Sequence, residues 1–170
     1  MFEGNKEVKK LPYGTSINQY VESHFIPEEG YYLVYTSTHT TVPADNTAIV
    51  EYSYEPNVWT LSYATSGCDE ININESQEVE YGTNIMTILP NVQVTGYIFN
   101  GWFNGESKIE ENTTMPNNDL HLIGMCEKEL FELRILDDET VIYTALCPYK
   151  MTIGEILNND FCKNYVSTQS

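Results

Sequence analysis

Tyrosines stand at positions 13, 81 and 149, and isoleucines at 17, 85 and 153 keep the same 68-residue interval. A fixed period of this length constrains the fold more than any single motif. It makes the chain an array of one small module, and arrays are usually built for reach and display. Several small cores are therefore expected in 170 residues that could otherwise build one.

The middle copy is the fullest. Trp59-Thr60-Leu61-Ser62-Tyr63 alternates apolar and polar side chains, as a half-buried strand does. Ser66 to Ser76 is mostly polar and reads as a turn or hairpin region, and Gln77 to Gly82 reads as a second strand stopped by the glycine. Ile85, Ile88, Leu89 and Val92 then fall at i, i+3, i+4 and i+7, which predicts a short helix that Pro90 ends early. Gly96 to Phe103 reads as an aromatic strand, Asn104-Gly105 as a tight turn, Met115 to Asp119 as a turn and Leu120 to Met125 as a last strand. The order strand, strand, helix, strand, strand predicts an α+β fold of tandem β-grasp-like units.

The flanking copies fit in part. Leu11-Pro12-Tyr13-Gly14-Thr15 and Cys147-Pro148-Tyr149-Lys150 align with Val79-Glu80-Tyr81-Gly82-Thr83. The helical stripe recurs as Ile17, Tyr20 and Val21 and as Ile153, Ile156 and Leu157, with Phe25 and Phe161 at twice the interval. Thr152 and Glu155 have capping-box spacing. Phe131 to Ile135 opens the third copy as Trp59 to Tyr63 opens the second, Gly30-Tyr31 matches Gly96-Tyr97, and Val42 to Asn46 matches Met115 to Asp119. The expected boundaries are 1–56 for a partial first unit, 57–127 for a complete second and 128–170 for a partial third. Half a module has no complete core, so the ends are expected to continue into further units or to be completed by a partner.

Val79-Glu80-Tyr81-Gly82-Thr83, Pro90, the Gly96-Tyr97-Ile98-Phe99-Asn100-Gly101-Trp102-Phe103 run, Thr113 to Pro116 and Leu120 together resemble the internalin B-type repeat, also called the Listeria–Bacteroides repeat. Related mucin-binding-type repeats look similar. The resemblance implies β-grasp-like units in tandem on surface proteins of bacteria and some other microbes. The first copy departs from the pattern, with Tyr31-Tyr32-Leu33-Val34-Tyr35 and no tryptophan, and the third lacks this part. There is neither a Leu-Pro-x-Thr-Gly anchor nor a leucine-rich repeat.

Charge narrows the function classes. Eight Lys and Arg against 25 Asp and Glu leave −17, which opposes contact with nucleic acid phosphates and anionic membranes and suits a soluble, self-repelling surface. No acidic loop has EF-hand spacing, and Asp137-Asp138-Glu139 reads as a strand-connecting turn. Met1 to Leu11 lacks the apolar segment of a signal peptide, and no apolar run approaches the roughly 20 residues of a membrane helix. Either the protein works where it is made, or the sequence is a piece of a longer secreted chain.

Cys68, Cys126, Cys147 and Cys162 follow neither the repeat nor a zinc or Cys-x-x-Cys pattern; they read as free, partly buried thiols, with one disulfide as the alternative, and lean toward a reducing compartment. His24, His39 and His121 are scattered, Glu28-Glu29 and Glu110-Glu111 would point to opposite faces if extended, and no glycine pattern cradles phosphate. No catalytic, cofactor or metal site is read. Tyr13, Tyr81 and Tyr149 read as core or hinge residues, and Trp102 as a core anchor. Tyr31, Tyr32, Tyr52 and Tyr54 are candidates for a glycan- or protein-binding face. Asn74-Glu75-Ser76 and Asn112-Thr113-Thr114 have glycosylation-acceptor spacing, which chance explains in an Asn-rich chain. The expected function is a non-catalytic surface spacer or adhesive stalk, with neighbouring units or subunits as partners and a host protein or glycan as a further one. The alternatives are a virion or other particle component and a binding module.

Overall fold

The computed structural model describes residues 8–45 and 47–158, so Phe161 and Cys162 lie outside the described residues. It contains three sheets. A two-stranded antiparallel sheet pairs β1 (Tyr31–Ser37) with β2 (Val50–Pro56), and an α-helix, α1 (Ile17–His24), precedes it. A five-stranded sheet is built from β3 (Val58–Ser66), β4 (Asn74–Glu80), β5 (Tyr97–Asn104), β6 (Ser107–Lys108) and β7 (Leu120–Lys128), in the order β4-β3-β7-β5-β6. Its central pair, β3 and β7, is parallel. A second two-stranded sheet pairs β8 (Leu130–Asp137) with β9 (Thr140–Pro148), followed by α2 (Ile153–Leu157).

The α+β expectation is overturned. The fold is mostly β, with 47% of the described residues in strands and 9% helical. The decisive segment is the stripe 85–92, where the predicted helix is a single 3-10 turn, Ile85–Thr87. Asn84 accepts the Met86 N–H at 2.9 Å, and the Ile88 and Leu89 N–H groups both close on the Ile85 carbonyl (3.0 and 3.1 Å). Pro90 has no N–H to continue the ladder and disfavours helical backbone at Leu89. The stripe was correct about burial rather than conformation: Ile85 and Val92 are buried, and Ile88 and Leu89 pack against the same core. Where no proline intervenes, α1 completes eight residues. Ser16 caps it by accepting the Gln19 N–H, and Ile17 and Val21 are buried. At α2 the capping box read from Thr152 and Glu155 is present.

Two separate clusters form the cores. One holds Ile17, Val21 and Val42, with Leu11, Phe25, Leu33, Tyr35, Ala48 and Val50 packed on it. The other lies between one face of the five-stranded sheet and the segments that cross it, and holds Leu61, Tyr63, Val79, Ile85, Trp102, Met115 and Leu122. The two clusters share no residue, so each is a core of its own.

A bulge places the key aromatic. In β5 the register against β7 shifts between Phe99 and Gly101, and Gly101 takes φ +117°. Without that extra residue strict alternation from Tyr97 and Phe99 would turn Gly101 inward; with it Trp102 faces the core, 3% exposed. The hairpin after β5 turns on Gly105-Glu106, one residue later than read, because Phe103 pairs with Lys108 and Asn104 with Ser107. Glycine at the first central position, φ +59°, suits such a two-residue turn.

The free-thiol reading is corrected too. Cys68 and Cys126 form a disulfide with Cα atoms 5.2 Å apart, joining the loop after β3 to the end of β7. The two positions are 58 residues apart, and only the folding of β7 beside β3 brings them together. Cys147 is free and half-buried.

Candidate functional site

The repeating tyrosines organise two junctions of the same design. At the first, Gly30 and Tyr31 open β1, and the Tyr81 ring covers Gly30 so closely that a Cβ there would overlap it. The Tyr31 and Tyr81 rings meet edge-on at 5.8 Å. The Asn57 N–H donates to the Gly30 carbonyl (2.8 Å), and the Tyr81 N–H donates to the Asn57 carbonyl (2.8 Å). At the second, Tyr149 covers Gly96, and Tyr97 and Tyr149 meet edge-on at 5.8 Å. The Glu129 N–H donates to the Gly96 carbonyl (2.8 Å), and the Tyr149 N–H to the Glu129 carbonyl (2.9 Å). Two glycines, two linking residues and two tyrosines thus repeat one relay across two sheet boundaries.

Each tyrosine is presented by the same tight turn. Thr83 N–H closes on the Glu80 carbonyl (3.2 Å) and Met151 N–H on the Pro148 carbonyl (3.0 Å). The residue after the tyrosine is left-handed in both, Gly82 at φ +79° and Lys150 at φ +62°. Only lysine departs from glycine, and its ammonium pairs with Glu70 and lies 5.5 Å from the Tyr149 ring centre. Beside this junction Asp69 accepts from the Tyr97 hydroxyl (3.0 Å) and pairs with Lys128 (3.1 Å). The Lys128 hydrogen bond, then the Tyr97 one, holds the Asp69 carboxyl below its ordinary value. Burial, then the Asp69 contact, raises the Tyr97 hydroxyl.

Glycine is required where the rings land. Gly96→Ala is expected to weaken the second junction by about 2–4 kcal/mol, combining the left-handed backbone cost with overpacking against Tyr149. Gly82→Ala separates the two terms: Gly82 has nearly the same φ, +79° against +78°, but open space at the Cβ position. Hydrogen exchange is the measurement, read at the Glu129 and Tyr149 amides for Gly96→Ala and at the Asn57 and Tyr81 amides for Gly82→Ala. Equal acceleration in both variants would mean that the ring contact contributes nothing.

Tyr13 does not join a core or a junction, contrary to the hinge reading; it is 79% exposed, while Tyr81 and Tyr149 are half-buried. The candidate tyrosine face also divides. In the β1–β2 register Tyr31, Tyr52 and Tyr54 share the face of α1, and Tyr32 lies on the other, its hydroxyl on Glu55. Phe25 tilts onto Tyr52 with centroids 4.3 Å apart. The glutamate pairs 28–29 and 110–111 sit at exposed turns and not in extended strands. Asp138-Glu139 turns β8 into β9 as expected, with Asp138 at φ +50°.

Other chemistry does not converge. His24 contacts Ser23 and Tyr20, His39 contacts Thr38, and His121 contacts Ser62 at 2.9 Å across β3 and β7. The Ser62–His121 pair was not legible in the sequence, since 59 residues separate the two. Among the described residues no carboxylate orients the other ring nitrogen of His121, and no group of three His, Cys, Asp or Glu could hold a metal. A hollow of about 240 Å³ beside Trp102 is lined by Met86, Leu89, Pro90, Phe99 and Lys108, below the usual ligand-site range. Among the described residues no helix is long and apolar enough to cross a membrane.

Sequence reasoning read Tyr81, Tyr149, Gly30-Tyr31 and Gly96-Tyr97 separately and missed that the first pair lands on the second. The available signal was the offset, each tyrosine following a Gly-Tyr step by just over 50 residues. No curated protein matches the chain. The family model of the Listeria-Bacteroides repeat domain matches residues 59–123, which run from β3 into β7 and include β4, β5 and β6 between them. The segment that builds the five-stranded sheet and its core is therefore a repeat of the Listeria-Bacteroides family.

Proposed function

We propose that this chain is a non-catalytic repeat module of a surface protein, in which successive units act as a spacer or adhesive stalk. The observation that carries the reading is the twice-built junction: one contact design repeated along the chain adds length at each step and sets one unit's position on the last. The family supports the placement, because its repeats are typical of extracellular surface proteins. The Cys68–Cys126 disulfide supports it as well, since such bonds persist in oxidising compartments. The net charge of −17 keeps neighbouring molecules apart.

Small-angle scattering with sedimentation tests this. A spacer is expected to be a monomer whose radius of gyration is well above the roughly 15 Å of a compact 170-residue globule. A value near that of a globule, or a stable trimer or larger assembly, would overturn the spacer reading in favour of a compact binding module or a particle subunit.

A further inference from the structure

Tyr13 is presented as Tyr81 and Tyr149 are, yet it has nothing to cover. Its turn closes in the same way, the Thr15 N–H on the Pro12 carbonyl (3.2 Å), and the following Gly14 is left-handed at φ +78°. The turn is pinned to its own unit just as the second one is: the Gly14 N–H donates to the Val42 carbonyl (3.0 Å) and the Gly82 N–H to the Met115 carbonyl (2.9 Å). The return bonds match too, the Val42 N–H to Thr15 (2.9 Å) and the Met115 N–H to Thr83 (2.8 Å). The backbone that carries the ring is therefore fixed by a hydrogen-bonded turn, so docking the ring costs little backbone ordering entropy. An exposed tyrosine on a fixed turn is suited to an interface, where its ring supplies area and its geometry is already set.

We propose that Tyr13 is the donor half of a third junction, and that its partner is another repeat unit presenting a left-handed glycine followed by an aromatic residue. The ring covers that glycine, and the Tyr13 N–H donates to the carbonyl of the partner's linking residue. Among the described residues no backbone carbonyl accepts the Tyr13 N–H. Both Gly-Tyr steps of this chain are already covered, Gly30 by Tyr81 and Gly96 by Tyr149, so the partner's step is one these two tyrosines do not hold. The reading rests on the tandem-module function and adds the code by which one unit recognises the next. The specificity is steric: any side chain at the glycine closes the site, and the adjoining aromatic supplies the edge contact.

A tandem chain tests it. Residues 1–148 are followed directly by 13–170, so that the Pro148 of the first copy stands where Pro12 stood and Tyr13 takes the place of Tyr149. A tyrosine ring over a glycine moves that glycine's α-proton resonances upfield. The expected result is that Gly96 of the first copy keeps the upfield shift it shows in the parent chain, and loses it when the joined Tyr13 is changed by Tyr13→Leu. Gly124 lies against Trp102 in the same unit, so its own shifted resonances report that the unit is folded. An unshifted Gly96 beside a normally shifted Gly124 would overturn the proposal. This outcome is separable from failure of the spacer reading, which is decided by the size of the parent chain.

Discussion

Replacing Cys68 and Cys126 together by alanine is expected to lower the unfolding free energy of the five-stranded sheet by about 4 kcal/mol, the loop-entropy value for a cross-link spanning 58 residues. The bond joins the β3–β4 loop to the end of β7 and so ties the first strand of the repeat to its last. Gly67 brings the loop against the chain at Cys126, where a Cβ would overlap the Cys126 carbonyl. Alanine is the right replacement because Cys68 is buried, and serine would add an unpaired hydroxyl. Both tryptophans of the chain, Trp59 and Trp102, lie in this sheet, so fluorescence during guanidinium unfolding reports this unit alone. A unit of about 70 residues sits at the low end of domain stability. A loss of that size leaves much of it unfolded near 37 °C. A midpoint unmoved by the double substitution would show that the cross-link contributes nothing to the fold.

The strands of the middle repeat were legible because alternation is a local signal. Leu61 and Tyr63 face the core from β3 and Leu120 and Leu122 from β7, as their spacing implies. What failed was where two local signals conflicted. A helical stripe and Pro90 share one short segment, and the proline decided the backbone while the stripe decided the burial. The disulfide was illegible for a different reason: cysteine spacing carries no pairing information across 58 residues, and the pair is set by the parallel β3–β7 alignment.

The junctions fall between these cases. The period marked Tyr81 and Tyr149 as special, and the match of Gly30-Tyr31 with Gly96-Tyr97 marked a second repeating pair. Neither showed that the two sets touch, because the contact spans a sheet boundary and depends on a left-handed glycine meeting a ring face. The fate of Tyr13 then follows from copy number: three tyrosines repeat, but only two Gly-Tyr steps are present to receive them.

Trp102→Ala is expected to remove about 3–5 kcal/mol from the same unit, toward the upper end of the range for a large core aromatic. Three neighbours make the site hard to collapse. Tyr63 and Phe99 each meet the indole edge-on with centroids 5.6 Å apart, so both lose an oriented aromatic partner as well as contact area. Gly124 faces the ring from β7 and has no side chain to fill the space. Trp102→Phe keeps part of the packing and should cost distinctly less. The effect should also reach the second junction, because Trp102 anchors the strand that begins with Tyr97, the residue Tyr149 meets. Exchange at the Tyr149 amide should therefore accelerate in Trp102→Ala under conditions where the β8–β9 sheet itself is unaffected. If Trp102→Ala unfolded the unit no more readily than Trp102→Phe, the indole would be a surface group, and the bulge at Gly101 would have no structural purpose in turning it inward.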